Sequence, residues 1–285
     1  MSEPASSTKL EAEPFALDLE GRKIAGESVG EGPPVVLAHG LTATRRQVVH
    51  GSVVLARKGH EQISYDVRGH GSSDPAPEDG GYTYPEMVAD LGALIDDRTE
   101  GPDTAVGLVG HSMSSHTVAA YALENPDRVA GVVIASPVYP GVIPEEHETL
   151  DYYDRLADAL ESGGVDGFLD ANEVGTNPEW RETIRRFTRE RMLRHEHLGA
   201  VAQALRQVPR SEPFHGLEAL ESMKVPALVV ASRDVADPRH PMATAEAYAE
   251  RIPDAKFVVE EEGESPLPWQ GGRFSREIAG FMAGL

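Results

Sequence analysis

The stretch that decides the fold is Val109-Gly110-His111-Ser112-Met113-Ser114. A buried apolar run at residues 105–109 precedes it, and an alanine-rich segment with helical periodicity follows it. A serine between a strand and a helix needs a very tight turn, and small neighbours such as Gly110 let the two backbones pass closely. A helix-capping role would account for Ser112 alone, but not for the strand, the glycine and the helix around it. We therefore predict that Ser112 projects from a sharp turn, as a nucleophile does.

Short apolar runs bounded by turn residues recur on both sides of this stretch. They predict eight strands, at residues 15–19, 23–28, 35–38, 62–66, 105–109, 130–136, 227–232 and 256–260. Several runs are apolar without alternation, as expected of parallel strands that are buried on both faces. Helical periodicity lies between them, at residues 45–57, 84–97, 113–124, 241–251 and 273–282. The sequence therefore predicts an α/β fold, with a doubly wound, mostly parallel sheet covered by helices.

One segment interrupts the alternation of strands and helices. Residues 139–220 carry helical periodicity without a convincing strand, so we predict a helical cap inserted between the sixth and seventh strands. The core then consists of residues 15–138 and 221–285. Residues 1–14 are rich in Ser, Ala, Glu and Pro, and we expect them to form a disordered tail.

Composition excludes several classes of protein. The chain has 285 residues, of which 47 are Asp or Glu and 26 are Lys or Arg, and the net charge of -21 would repel a nucleic acid. No apolar run approaches the ~20 residues of a membrane span, and the acidic start of the chain does not resemble a signal peptide, so we expect a cytoplasmic protein without membrane contact. The absence of cysteine excludes a thiolate nucleophile and cysteine-bound metals. No metal or organic cofactor is indicated.

Two further motifs lie upstream of Ser112. The run at residues 35–38 leads directly into His39-Gly40-Leu41-Thr42. The run at residues 62–66 leads into Asp66-Val67-Arg68-Gly69-His70-Gly71-Ser72-Ser73-Asp74. Both motifs therefore follow predicted buried strands, in the same way as the serine turn.

In this order, the motifs resemble the α/β-hydrolase superfamily over nearly the whole chain, from about residue 15 to 285. The serine turn resembles the nucleophile elbow G-x-S-x-G, with Ser114 in place of the last glycine. The resemblance implies that the backbone N–H groups of Leu41 and Met113 form an oxyanion hole. It also implies that His39, Gly40 and His111 lie at the substrate pocket.

The resemblance implies the rest of the chemistry as well. The family order is nucleophile, acid and histidine, which places the acid at Asp234, with Asp237 as a neighbouring competitor. The implied reaction is hydrolysis of a carboxylic ester, thioester or lactone through an acyl-enzyme on Ser112. The implied partner is a small acyl-containing substrate. A homo-oligomer is left open, as is the identity of the substrate.

The sequence departs from the family pattern at the histidine. Glu264 occupies the position where the family carries its catalytic histidine after the last strand, and no histidine follows His240. Three hypotheses remain open. In the first hypothesis, Glu264 is the base, and its pKa is raised by burial and by sharing a proton with Asp234. Alternatively, His240 reaches the site from the loop after the seventh strand. In the third hypothesis the triad is degenerate, and the pocket binds a ligand or promotes a non-hydrolytic step of the lyase or cyclase type.

Overall fold

The computed structural model describes residues 10–77, 81–101, 103–143, 147–173, 178–233 and 238–285. Within these residues, eight strands form one sheet in the order β1-β2-β4-β3-β5-β6-β7-β8. The strands are β1 Glu13–Leu19, β2 Arg22–Val29, β3 Pro34–Ala38, β4 Glu61–Tyr65, β5 Val106–His111, β6 Val129–Ala135, β7 Ala227–Val230 and β8 Lys256–Val258. Strands β1 and β2 run antiparallel to their neighbours, and all other pairs are parallel. The predicted fold class is confirmed.

Helices alternate with the strands, as the sequence predicts. They are α1 Val54–Arg57, α2 Tyr84–Arg98, α3 Met113–Glu124, α4 His147–Asn172, α5 Arg181–Met192, α6 Leu198–Gln207, α7 Met242–Arg251 and α8 Gly271–Met282. The predicted helix at residues 45–57 is wrong over most of its length. A short 3-10 turn covers Arg45–Gln47, and His50 and Gly51 both have positive φ, which ends any helix before α1 begins.

The two faces of the sheet each bury an apolar layer. Val36 of β3 and Leu108 of β5 point to the face covered by α2, α3 and α7. Leu37 and Val109 are the next residues along the same strands, and they point to the opposite face, which α1 and α8 cover. Successive side chains of a strand point to opposite faces, so a strand between two helical layers is apolar throughout.

The order of the strands determines where a site can form. The chain passes from β3 to β4 on one side and then crosses to β5 on the other side of β3. The carboxyl ends of β3 and β5 therefore border the crevice where ligands bind in open α/β sheets. Ala38 at the end of β3 pairs with Gly110 of β5, so the loop after β3 lies beside Ser112.

Helices α4, α5 and α6 lie between β6 and β7, where the sequence predicts a cap, and we refer to residues 139–220 as the cap segment. The segment has its own apolar cluster, which includes Leu156, Phe168 and Val201. Leu41 of the loop after β3 contacts both this cluster and the main core. Among the described residues, no helix is both long and apolar enough to cross a membrane.

Candidate active site

Ser112 occupies a strained turn between β5 and α3. Its φ is 52° and its ψ is -116°, a combination that L-residues rarely adopt. A Cβ atom on Gly110 would lie 2.1 Å from the carbonyl oxygen of Ser114, so only glycine fits there. The Ser112 N–H donates to the carbonyl of Ala135 in β6 at 2.8 Å, which fixes the turn against the neighbouring strand. The half-buried serine therefore projects from the turn that the sequence predicts.

The serine that replaces the last glycine of the elbow pattern has a structural use. Ser114 is fully buried, and its hydroxyl donates to the carbonyl of His39 at 2.5 Å. This bond joins the start of α3 to the loop after β3. A Cβ on Gly40 would lie 3.0 Å from Cβ of Ser112, so this loop and the elbow are in close contact.

His240 contacts Ser112 directly. The Nε2 atom of His240 lies 2.8 Å from Oγ of Ser112, within the range for a nucleophile and its general base. The histidine precedes α7, in the segment that follows β7. Its ring centroid lies 5.6 Å from that of His111, the residue before Ser112. Of the histidine and glutamate that the sequence offers as bases, the structure thus brings His240 to the serine.

Glu264 lies in a different environment. Its carboxylate is exposed and forms an ion pair with Arg273, and it also accepts the N–H of Glu261 at 3.2 Å. The hydrogen bond from Arg273 holds the pKa of Glu264 below its ordinary value. The expectation of a raised pKa is therefore wrong, because the carboxylate is paired with a cation in solvent rather than buried beside another acid. Asp234 and Asp237 lie outside the described residues.

Glu260 has a role that the sequence did not predict. This carboxylate is 1% exposed and accepts backbone N–H groups from Arg233 at 2.6 Å and from Leu267 at 3.0 Å. It therefore joins the segment after β7 to the segment after β8. Its position in a predicted strand gave no sign of this, although an acidic residue at the end of a buried run needs a partner.

The loop after β3, residues 39–43, holds one predicted oxyanion donor, Leu41, and two predicted pocket residues, His39 and Gly40. We refer to it as the oxyanion loop. It forms a tight turn in which the N–H of Ala43 donates to the carbonyl of Gly40 at 3.0 Å, with Leu41 half-buried at its corner. Met113, the other predicted donor, is the first residue of α3, where backbone N–H groups have no partner within the helix.

The residues predicted at the substrate pocket differ in their burial and in the hydrogen bonds that their side chains form. His39 is fully buried, and both ring nitrogens bind backbone groups: Nδ1 lies 2.8 Å from the carbonyl of Gly40, and Nε2 accepts the N–H of Val67 at 2.9 Å. The His39 ring thus has no polar atom left for a substrate. His111 is half-buried, and its Nδ1 lies 3.2 Å from the position of a Cβ on Gly40.

His116 connects the helix after Ser112 to the start of the cap segment. Its Nε2 accepts the N–H groups of Val138 and Tyr139 at 3.0 and 3.1 Å. Because Nε2 accepts, Nδ1 carries the proton and donates to the hydroxyl of Tyr84 at 2.9 Å. The buried imidazole therefore holds the chain where it leaves β6.

Four buried histidines have lowered pKa values, each chiefly because burial disfavours the charged ring. Burial lowers the pKa of His70 to about 4 and that of His116 and His195 to about 3. It also lowers the pKa of His39 well below its ordinary value. These four rings are neutral in the folded protein at neutral pH.

Comparison with known proteins identifies the family of the fold. A family model for the alpha/beta hydrolase fold matches residues 33–271. The chain belongs to the α/β-hydrolase fold family. The family resemblance that the sequence predicts is thereby confirmed.

Individual relatives of this α/β-hydrolase carry several names. The chain is 27% identical over 287 aligned positions to a non-heme chloroperoxidase from Kitasatospora aureofaciens, covering 94% of this chain and 99% of that protein. It is 35% identical over 106 residues to epoxide hydrolase 2 from Siraitia grosvenorii, which is 37% of this chain and 33% of that protein. The enol-lactonase from Burkholderia xenovorans LB400 has the same fold, with a TM-score of 0.76 at 20% identity over 94% of this chain and 100% of the lactonase.

The elbow generates a first prediction. Gly110→Ala places a methyl group against the backbone of α3, and we expect the free energy of unfolding to fall by about 3 kcal/mol, the upper part of the range for overpacking. Gly199→Ala is the matched control, because a Cβ at Gly199 in α6 meets nothing within 4 Å. We expect this control to be neutral or stabilising by less than about 1 kcal/mol. Urea unfolding measures both, and equal stabilities of the two variants would contradict the packing argument.

The buried histidines generate a second prediction. Their folded pKa values lie below that of an ordinary histidine, so the unfolded chain binds more protons as the pH falls from about 6.5 toward 4. Stability is therefore lost over this range, by about 2 kcal/mol per histidine between pH 7 and about pH 5. Asp66 offsets part of this loss, because burial raises its pKa and the folded state takes up that proton first.

Urea unfolding at several pH values tests this linkage. The slope of stability against pH reports how many more protons the unfolded chain binds than the folded protein. His116→Gln should lower this difference by about one proton, because one buried ring is removed. His215→Gln is the control, since it makes the same substitution at a fully exposed side chain. A wild-type stability that is constant between pH 7 and 5 would show that the four rings are not neutral in the folded state.

Proposed function

We propose that this α/β-hydrolase cleaves a carboxylic ester, thioester or lactone of a small molecule through an acyl-enzyme on Ser112. The observation that carries the proposal is the distance of 2.8 Å between Oγ of Ser112 and Nε2 of His240. A serine hydroxyl is a weak nucleophile unless an adjacent base accepts its proton, and a neutral imidazole is well suited to that task. The base then lies after β7 rather than after the last strand.

The first half of the reaction acylates the serine. Oγ of Ser112 attacks the substrate carbonyl while its proton passes to Nε2 of His240, and the carbonyl electrons move to the oxygen. The backbone N–H groups of Leu41 and Met113 stabilise that oxyanion. The tetrahedral intermediate collapses, the bond to the alcohol, thiol or ring oxygen breaks, and the imidazolium returns its proton to the leaving group.

The second half releases the acid. Water replaces the leaving group, His240 accepts a proton from it, and the resulting hydroxide attacks the acyl carbon. The same two N–H groups hold the second oxyanion until Oγ of Ser112 departs with the proton. Asp234 remains the proposed acid that orients the imidazole, on the basis of its place in the chain order alone.

The ligand-binding or non-hydrolytic alternative rested on Glu264 at the usual histidine position. The exposed ion pair of Glu264 with Arg273, together with the contact of His240 with Ser112, supports the hydrolase instead. The names of the relatives include a hydrolase and a lactonase, which fits cofactor-independent chemistry at a carbonyl or similar electrophile. The strongly acidic composition gives no support for a nucleic-acid partner.

The third prediction separates the candidate bases. A fluorophosphonate reagent should add once to the wild-type protein, at Ser112, as read by intact mass and peptide mapping. Ser112→Ala should remove the adduct and lower kcat/KM for an activated ester at least about a thousandfold. His240→Gln should lower the labelling rate about a hundredfold or more, and the wild-type rate should fall in acid, because an imidazolium has no lone pair to accept the proton.

Glu264→Gln is the matched control, since it removes one carboxylate from an exposed pair with Arg273. We expect its labelling rate and its pH profile to match those of the wild type. A loss of labelling in Glu264→Gln with full labelling in His240→Gln would reverse the assignment of the base. Folded wild-type protein that gives no adduct at any pH would favour the ligand-binding alternative.

A further inference from the structure

Three consecutive peptide groups of the oxyanion loop bind three different imidazoles. Nδ1 of His39 donates to the carbonyl of Gly40 at 2.8 Å. The N–H of Thr42 donates to Nε2 of His70 at 3.3 Å. Nε2 of His195 donates to the carbonyl of Thr42 at 3.1 Å. Both backbone polar groups of Thr42 are thus held by side chains from elsewhere in the chain.

The other nitrogen of each ring binds the loop after β4, residues 66–74. Nε2 of His39 accepts the N–H of Val67, Nδ1 of His70 donates to the carbonyl of Arg68, and Nδ1 of His195 accepts the N–H of Gly71, at 2.9, 3.0 and 2.8 Å. Each ring therefore bridges the two loops with one donor and one acceptor. A neutral imidazole is the side chain that offers this pair of groups on one rigid ring.

Thr42 needs such support. Its φ is 63°, in the left-handed region that a β-branched residue rarely adopts, and the structure buries it. The peptide before Leu41 is also constrained. The carbonyl of Gly40 accepts hydrogen bonds from His39 and from the N–H of Ala43, and in a trans peptide the N–H of Leu41 points in the opposite direction. The direction of the proposed oxyanion donor thus depends on how the turn is held.

His195 differs from the other two histidines because it comes from the cap segment, between α5 and α6. It lies 153 positions from Thr42 in the chain. The next residue, Glu196, donates its N–H to the carbonyl of Gly71 at 2.9 Å. The junction of the cap therefore binds Gly71 twice, and the imidazole of His195 also binds Thr42 of the oxyanion loop.

We propose that His195 is a positioning residue, which holds Thr42 and thereby aims the N–H of Leu41 at the developing oxyanion. The inference rests on the proposed function, and it makes the cap segment a structural part of the oxyanion hole. Loss of the bond to Thr42 frees the turn without removing a group that touches substrate. The expected result is slower acylation with little change in substrate binding.

Two substitutions separate the two bonds of His195. In His195→Asn, the amide oxygen keeps the acceptor for Gly71 but no donor reaches Thr42. In His195→Gln, the amide nitrogen reaches the position of Nε2 and restores the donor to Thr42. His197→Gln is the matched control, because the His197 side chain makes no hydrogen bond to any described residue of the chain.

The experiment measures ester hydrolysis and amide exchange in parallel. We expect His195→Asn to lower kcat about tenfold to a hundredfold with KM within about twofold of the wild type, a loss below that for removal of an oxyanion donor itself. We expect His195→Gln to recover most of this loss and His197→Gln to match the wild type. Hydrogen–deuterium exchange of the peptide that covers residues 39–45 should be faster in His195→Asn than in the control.

Several results would overturn the inference. Turnover by His195→Asn at the wild-type rate would overturn it. Equal losses of kcat in His195→Asn and His195→Gln would also overturn it, since the losses would then reflect docking of the cap. A raised KM at constant kcat would assign His195 to substrate binding instead. Wild-type protein without turnover or labelling of Ser112 would overturn the proposed function and with it this role of His195, so the two failures are distinguishable.

Discussion

The close approach of β5 to the first turn of α3 is the constraint on which the site depends. At Gly110 the strand passes so near the carbonyl of Ser114 that no side chain fits. This approach forces Ser112 into a conformation that costs of order 1 to 3 kcal/mol. The hydrogen bond from Ser112 to Ala135 of β6 holds the strained residue in place. The strain persists because β5 is buried on both faces and the surrounding layers cannot yield.

The location of the proposed base follows from which segment lies near Ser112 at the end of the sheet. After β8 the chain turns outward, and Glu264 forms its ion pair with Arg273 in solvent. His240, which follows β7 in the chain, contacts Ser112. Glu260 accepts backbone N–H groups of Arg233 and Leu267, which ties the residues directly after β7 to the segment after β8. In the proposed function, a base in the segment after β7 therefore takes the place that the family pattern gives to the loop after the last strand.

The sequence predicts the sheet well because parallel strands have a strong local signature. All eight apolar runs correspond to strands, and the tight turn at Ser112 follows from Gly110 and the flanking pattern. The predicted helix at residues 45–57 fails where positive φ at His50 and Gly51 overrides helical periodicity. Glu264, which the family pattern made one of three open hypotheses for the base, is exposed to solvent and paired with Arg273. The contacts of His39, His70 and His195 with the two loops could not be predicted. His195, for example, binds Thr42 across 153 positions of the chain, and no local pattern encodes such a pair.

The hydrogen bonds to buried backbone groups of the oxyanion loop and of the loop after β4 link the structure of the site to its proposed chemistry. Buried backbone groups need partners, and here imidazoles supply them where the oxyanion loop and the loop after β4 face each other. A protonated ring would direct a second donor at a backbone N–H, so each bridge exists only while its ring is neutral. The imidazole of His240 must likewise be neutral to accept the proton of Ser112 in the proposed reaction. The rings that hold the oxyanion loop and the ring of the proposed base therefore require the same neutral state.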